Sequence, residues 1–129
     1  MVSLTKAPTG ITGLDEVLKG GLPKGRPTLL CGTAGCGKSL LSTQFLVNGA
    51  TRFGEQGILF ACEESTEDII TNVSSLGWDL PRLIDEGLLL IRHIDLNPRE
   101  ILEAGSFNLD GLMVQLSASV NAIGAKRVV

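Results

Sequence analysis

The sequence predicts an α/β protein: a mostly parallel sheet with helices on both faces. Three observations carry that expectation. Short apolar runs alternate with helical stretches along the 129 residues, as successive βαβ units require. A glycine-rich loop, residues 32–39, lies between one such run and one such helix. The chain is 43% hydrophobic and 19% charged, the balance of a sequence that buries a core.

Taken in order, Thr12 is placed to cap a short helix over residues 13–19, with Asp15 as the acidic member of a capping box. Gly20 and Gly21 end it, because glycine takes the left-handed backbone a helix terminus needs. A turn at Pro23 and Gly25 leads to a buried-type strand over 27–31, with Pro27 tolerable only at its first position. After the glycine loop a helix runs over 38–53, with Leu40, Leu41, Phe45, Leu46 and Val47 mainly on one face. A strand over 58–62 runs into Glu63 and Glu64, and Ser65 or Thr66 caps a helix to about residue 76. A short helix over 79–86 precedes a strand over 88–91. A helical turn at 98–103, a loop at 105–108 and a helix over 110–123 follow, the last with Leu112, Leu116, Val120 and Ile123 on one face. Gly124 closes that helix and residues 126–129 begin another strand.

Composition narrows the function. With aromatic residues at 4%, the core must rest on Leu, Ile, Val and Ala. A net charge of −3 argues against a protein that gains its affinity by neutralising many nucleic-acid phosphates. Cys31, Cys36 and Cys62 form no C-x-x-C pair, which fits a reduced interior and reads as small buried side chains or a loop thiol. A single histidine, His93, is too little for a histidine-based metal site and is expected at a strand end on the surface. The first eight residues lack the apolar core of a signal peptide, and nothing approaches the roughly 18 apolar residues of a membrane span, so a soluble cytoplasmic protein is expected.

Gly32-Thr33-Ala34-Gly35-Cys36-Gly37-Lys38-Ser39 fills every position of G-x-x-x-x-G-K-[ST], in the strand-to-helix setting that makes this pattern specific for phosphate. Gly32, Gly35 and Gly37 let successive N–H groups turn toward one anion with no Cβ in the way. The start of the following helix adds free N–H groups and the positive end of its dipole. Lys38 is expected to reach the β- and γ-phosphates as a mobile point charge, and the Ser39 hydroxyl to ligate magnesium. The expected ligand is ATP with Mg2+.

Glu63 and Glu64 stand at the C-terminal end of a strand, the edge where open parallel sheets bind ligands. Side chains alternate along a strand, so only one of the two can face a γ-phosphate and orient or deprotonate the attacking water. The bland alternative is a pair of solvated acids leading to the Ser65 cap.

The stretch from Thr9-Gly10-Ile11 to Gly20-Gly21-Leu22-Pro23-Lys24-Gly25, the glycine loop, Cys62-Glu63-Glu64-Ser65 and Ser75-Leu76-Gly77-Trp78-Asp79-Leu80 together resemble a KaiC-type domain of the RecA-like P-loop ATPases. The likeness runs through nearly the whole chain, and the last two motifs separate KaiC-like proteins from other P-loop proteins. It implies an ATPase that assembles into a ring, commonly a hexamer, with ATP held between subunits and Kai-type regulatory proteins as partners. By the same match Gly35, Cys36, Gly37, Lys38, Ser39 and Leu40 line the triphosphate and Ser39 holds the magnesium. Glu63 is the catalytic carboxylate, supported by Glu64, and Ser75 is a nucleotide contact. Trp78 is expected in the core.

In domains of this kind the strand beginning at Lys126 continues to an acidic residue about two positions further on, beyond Val129. The expectation is therefore one partial RecA-like domain over residues 1–129, cut short before that acid. Such a segment is expected to bind nucleotide weakly, to hydrolyse it slowly or not at all, and to self-associate through an unpaired sheet edge. Autokinase activity on Ser and Thr belongs to the full-length relatives, and no phosphorylation site carries over. Two other functions compete: a RecA- or RadA-like recombination ATPase acting on DNA, and a non-catalytic assembly fragment. Outside Lys126-Arg127 there is no basic cluster to favour DNA.

Overall fold

The computed structural model describes residues 3–94 and 109–129. A three-stranded parallel sheet has the order β4-β3-β5, where β3 is Gly57–Ala61, β4 is Leu89–His93 and β5 is Arg127–Val128. The register pairs Gly57 with Leu89, Ala61 with His93, and Ile58 with Val128. Ala61 and His93 thus end side by side, and the turn that leaves β3 opens next to the His93 side chain. A separate two-stranded antiparallel ribbon joins β1 (Lys6–Ala7) to β2 (Leu22–Pro23).

Helix α1 is Leu14–Val17, α2 is Lys38–Arg52, α3 is Thr66–Ser74, α4 is Leu80–Asp85 and α5 is Leu109–Ile123. Helix α2 packs on all three strands of the sheet, while α3, α4 and α5 pack against β4. The core forms where they meet: Leu46, Val47 and Ala50 of α2, Ile69 and Val73 of α3, Leu80 and Leu83 of α4, with Leu89 and Ala61 from the sheet. Full burial of each large aliphatic side chain here is worth about 1.5–3 kcal/mol. Trp78 packs against this cluster, as expected. The Ser65 hydroxyl accepts from the Asp68 N–H at 3.1 Å, and the Asp79 carboxylate from the Arg82 N–H at 3.2 Å, so both central helices start on side-chain caps.

Four local expectations need correcting. Residues 27–31 form no strand; they run as an exposed irregular segment with Leu29 87% exposed. A strand needs a hydrogen-bonding neighbour, and a groove of about 730 Å³ separates this segment from β5. Thr12 caps nothing, because α1 begins after Gly13 with no side-chain cap. Asp15 reaches back instead, accepting from the Thr9 N–H (2.9 Å), the Thr9 hydroxyl (2.7 Å) and the Gly10 N–H (2.9 Å), and three donors outweigh one capping bond. Leu40 is 43% exposed, and the buried face of α2 is Thr43, Leu46, Val47, Gly49 and Ala50. All three cysteines are exposed and lie outside helices and strands, so the loop-thiol reading holds and the buried one does not. In α5 the anticipated Leu112, Leu116, Val120 and Ile123 are half-buried, and Ser119 is buried beside them. The helical turn at 98–103 and the loop at 105–108 lie outside the described residues.

Arg127, read from the sequence as half of a basic pair, is 2% exposed. Its guanidinium donates to Glu55 Oε1 from Nε (3.2 Å) and Nη2 (2.9 Å), to the Phe45 carbonyl (3.1 Å) and to the Pro8 carbonyl (2.7 Å). It also lies over the Phe45 ring at 4.4 Å. Gly49 is required beneath it, since a Cβ there would stand 2.5 Å from Arg127 Cδ. One side chain thus ties β5, α2 and the N-terminal segment together. Burial pushes the Asp15 carboxyl up, but the bonds from Thr9 and Gly10 and the Arg127 charge outweigh it and hold the group below its ordinary value.

Candidate functional site

Helix α2 begins without a side-chain cap. Its N-cap is Gly37 at φ +96°, preceded by Gly35 at φ +78°, two left-handed positions that glycine adopts without strain. The first N–H groups of α2 are therefore left for a ligand, at the positive end of a helix of 15 residues. Lys38 folds over this loop, donating from Nζ to the carbonyls of Gly32 (2.7 Å) and Thr33 (2.9 Å), with Cys36 Sγ at 3.8 Å. Two neutral carbonyls thus hold the ammonium, a weaker set of partners than phosphate oxygens would provide.

Across the cleft stands the turn after β3. The Ser39 hydroxyl donates to Glu64 Oε1 at 3.0 Å. The other carboxylate oxygen of Glu64 accepts from Asn72 Nδ2 at 3.4 Å, and its backbone carbonyl accepts from His93 Nδ1 at 3.0 Å. A cavity of about 430 Å³ lies between, and Ala34, Gly35, Gly37, Lys38, Ser39, Leu40, Glu63 and Glu64 all line it. A second hollow of about 370 Å³ adjoins it, again lined by Lys38, Ser39, Glu63 and Glu64.

The two glutamates differ. Glu64 is half-buried and bonded to Ser39; Glu63 is exposed and, among the described residues, has no side-chain hydrogen bond. Gly32, Thr33 and Cys36 belong to the loop but not to the cavity wall, and Ser75 is the exposed C-cap of α3, also outside it. Asn72 lines the cavity in its place. The sequence held a signal for Asn72: Ser65, Ile69 and Asn72 fall at i, i+4 and i+7, one helical face, and Ile69 lines the same cavity. His93 was foreseen as a surface residue at a strand end, but its proximity to Glu64 depends on strand register, which no short motif encodes.

Ser39 Oγ and Glu64 Oε1 are hard oxygen donors on adjacent elements, the chemistry magnesium takes when waters and phosphate oxygens complete its shell. Among the described residues no group of three or more His, Cys, Asp or Glu side chains could hold a metal without such help. Nor, among them, is any helix long and apolar enough to cross a membrane.

Residues 7–129 match the family model described as ATPase: KaiC. The chain is 53% identical over 127 residues to the circadian clock protein KaiC2 of Synechocystis sp., covering 98% of this chain and 22% of that protein. It is 45% identical over 127 residues to the circadian clock oscillator protein KaiC of Prochlorococcus marinus subsp. pastoris, covering 98% of this chain and 25% of that protein. With the KaiC of Thermosynechococcus vestitus the identity is 46% over 123 residues, 95% of this chain and 24% of the relative. The chain thus spans about a quarter of the length of these curated relatives.

Proposed function

This chain belongs to the KaiC ATPase family, and from that premise we propose that it is the phosphate-binding part of an ATP-hydrolysing, clock-type regulatory domain. The observation that carries the reading is the convergence on one cleft of an uncapped helix start, the Lys38 ammonium, and the Ser39–Glu64 pair 3.0 Å apart. The amides of residues 34–39 and the dipole of α2 bind the polyphosphate, and Lys38 leaves the Gly32 and Thr33 carbonyls for the β- and γ-phosphates. Ser39, with Glu64 beside it, is the protein's contribution to holding magnesium, which when bound neutralises charge on the phosphates.

Hydrolysis needs a water held in line with the γ-phosphate and an acceptor for its proton. Glu63 and Glu64 are the carboxylates at hand: Glu64 is fixed, and Glu63 is free to turn toward the water. Family membership supports a ring, commonly hexameric, with nucleotide between subunits, Kai-type regulatory partners, autokinase activity in the full-length protein and a cytoplasmic setting. Ser75 remains a proposed nucleotide contact, reached from the C-terminal end of α3.

The test is steady-state ATP turnover by the full natural polypeptide, with and without magnesium and with and without DNA. Magnesium-dependent turnover lost in Lys38→Ala and indifferent to DNA is the expected result. Stimulation by DNA would move the protein to the recombinase class, and no turnover would leave only an assembly role.

A further inference from the structure

Glu64 is the point where three elements of the fold meet. Its carbonyl is bonded from β4 by His93 Nδ1 (3.0 Å), one carboxylate oxygen from α3 by Asn72 Nδ2 (3.4 Å), and the other from α2 by Ser39 Oγ (3.0 Å). We infer that His93 and Asn72 are positioning residues: from two sides they hold Glu64 so that its carboxylate is presented to Ser39 at the phosphate end of the cleft. The inference rests on the reading of that cleft as an ATP site.

The chemistry of the partners fixes their states. A carbonyl only accepts, so the His93 nitrogen facing Glu64 carries a proton, and a neutral ring must be the Nδ1–H tautomer. A carboxylate facing Ser39 and Asn72 is likewise an acceptor, so Asn72 must turn its NH2 rather than its oxygen toward Glu64. The clamp follows from topology. Parallel pairing of Ala61 with His93 sets the imidazole beside the residues that follow β3, and the Ser65 cap fixes where α3 begins and hence where Asn72, two turns on, points. Glu64 is half-buried while His93 and Asn72 are exposed, so these bonds add little to the core and their geometric effect falls on Glu64, through its backbone for His93 and its carboxylate for Asn72. A glutamate on a turn has many rotamers; the His93 bond fixes its backbone, the Ser39 and Asn72 bonds leave its carboxylate one orientation, and small misplacements of such a group are expensive in rate.

Two measurements test this. His93 is the one histidine of the sequence, so a long-range proton–nitrogen NMR spectrum of the 129-residue chain, in mildly alkaline buffer, reads its tautomer without assignment. The Nδ1–H form is expected, and a dominant Nε2–H form would overturn the inference. In the full natural polypeptide, His93→Leu and Asn72→Leu should each lower kcat for ATP by about tenfold with KM within about twofold, the mark of an interaction used in the transition state. His93→Asn, whose amide N–H replaces Nδ1–H, should recover most of the loss. Unchanged kcat in both leucine variants, loss in KM alone, or no recovery with asparagine would overturn it; matched thermal midpoints separate these outcomes from unfolding. Should the wild type fail to turn over ATP, the proposed activity falls and the tautomer alone decides the clamp.

Discussion

The two ends of α2 are held by opposite means. Around Gly49, the Arg127 guanidinium is buried, stacked on Phe45 and bonded to Glu55, Phe45 and Pro8. At the other end the helix starts on a glycine with no side-chain cap, in an exposed loop whose lysine binds its own carbonyls. One end is saturated with protein partners and the other leaves N–H donors unused. On the proposed function, the contrast separates the end that serves stability from the end that serves binding. The Arg127 end fixes the helix in the fold, and so allows the free end to keep an arrangement suited to a polyanion rather than to itself.

Arg127→Met should destabilise the fold by about 3–5 kcal/mol, because Glu55 loses its buried partner and two carbonyls lose their donors. Urea denaturation checks this, and a loss under about 1 kcal/mol would mean that the grip on α2 is not there. Lys38→Ala should do the reverse. Stability should stay within about 0.5 kcal/mol, while the affinity for ATP with magnesium, measured by calorimetry, falls at least about tenfold, or about 1.4 kcal/mol.

Asp15→Asn should cost about 1 kcal/mol at neutral pH, since Asp15 is half-exposed and its three bonds are partly screened. Its folded carboxyl titrates below the ordinary value, so its contribution is present above an unfolded pKa of about 3.9 and is lost as pH falls through the lower, folded one. The wild-type and asparagine stability curves should therefore converge in strong acid. A gap that stays constant from neutral to acidic pH would contradict the assignment. Smallest, Ser65→Ala should remove about 0.5–1 kcal/mol through the lost cap of α3; because Asn72 rides on that helix, ATP turnover should fall more than stability does.

What was legible in the sequence follows from how local each signal is. The loop at 32–39, the Ser65 cap and the β3 and β4 runs are contiguous patterns set by backbone geometry and hydrophobic period, and each lies where its residues point. Arg127 was not legible as a core residue: a Lys-Arg pair reads as surface, and only partners from Pro8, Phe45 and Glu55, far off in sequence, make its burial tolerable. The strand at 27–31 failed for the matching reason, since apolar composition does not supply a neighbouring strand. The site divided along the same line. The loop pattern was readable residue by residue, although Gly32, Thr33 and Cys36 lie off the cavity wall, whereas the choice between Glu63 and Glu64 as partner of Ser39, and the involvement of Asn72 and His93, depended on how α3 and β4 are set against β3.

The function proposed above depends on a polyphosphate clasp at the uncapped start of α2 and the glycine loop before it. Its most direct test is an amide NMR titration of the chain with ATP and magnesium. The account predicts that the largest shifts fall on the N–H groups of Gly35, Cys36, Gly37, Lys38 and Ser39 and disappear in Lys38→Ala. Shifts confined to the groove between residues 27–30 and β5, or none at saturating nucleotide, would contradict it.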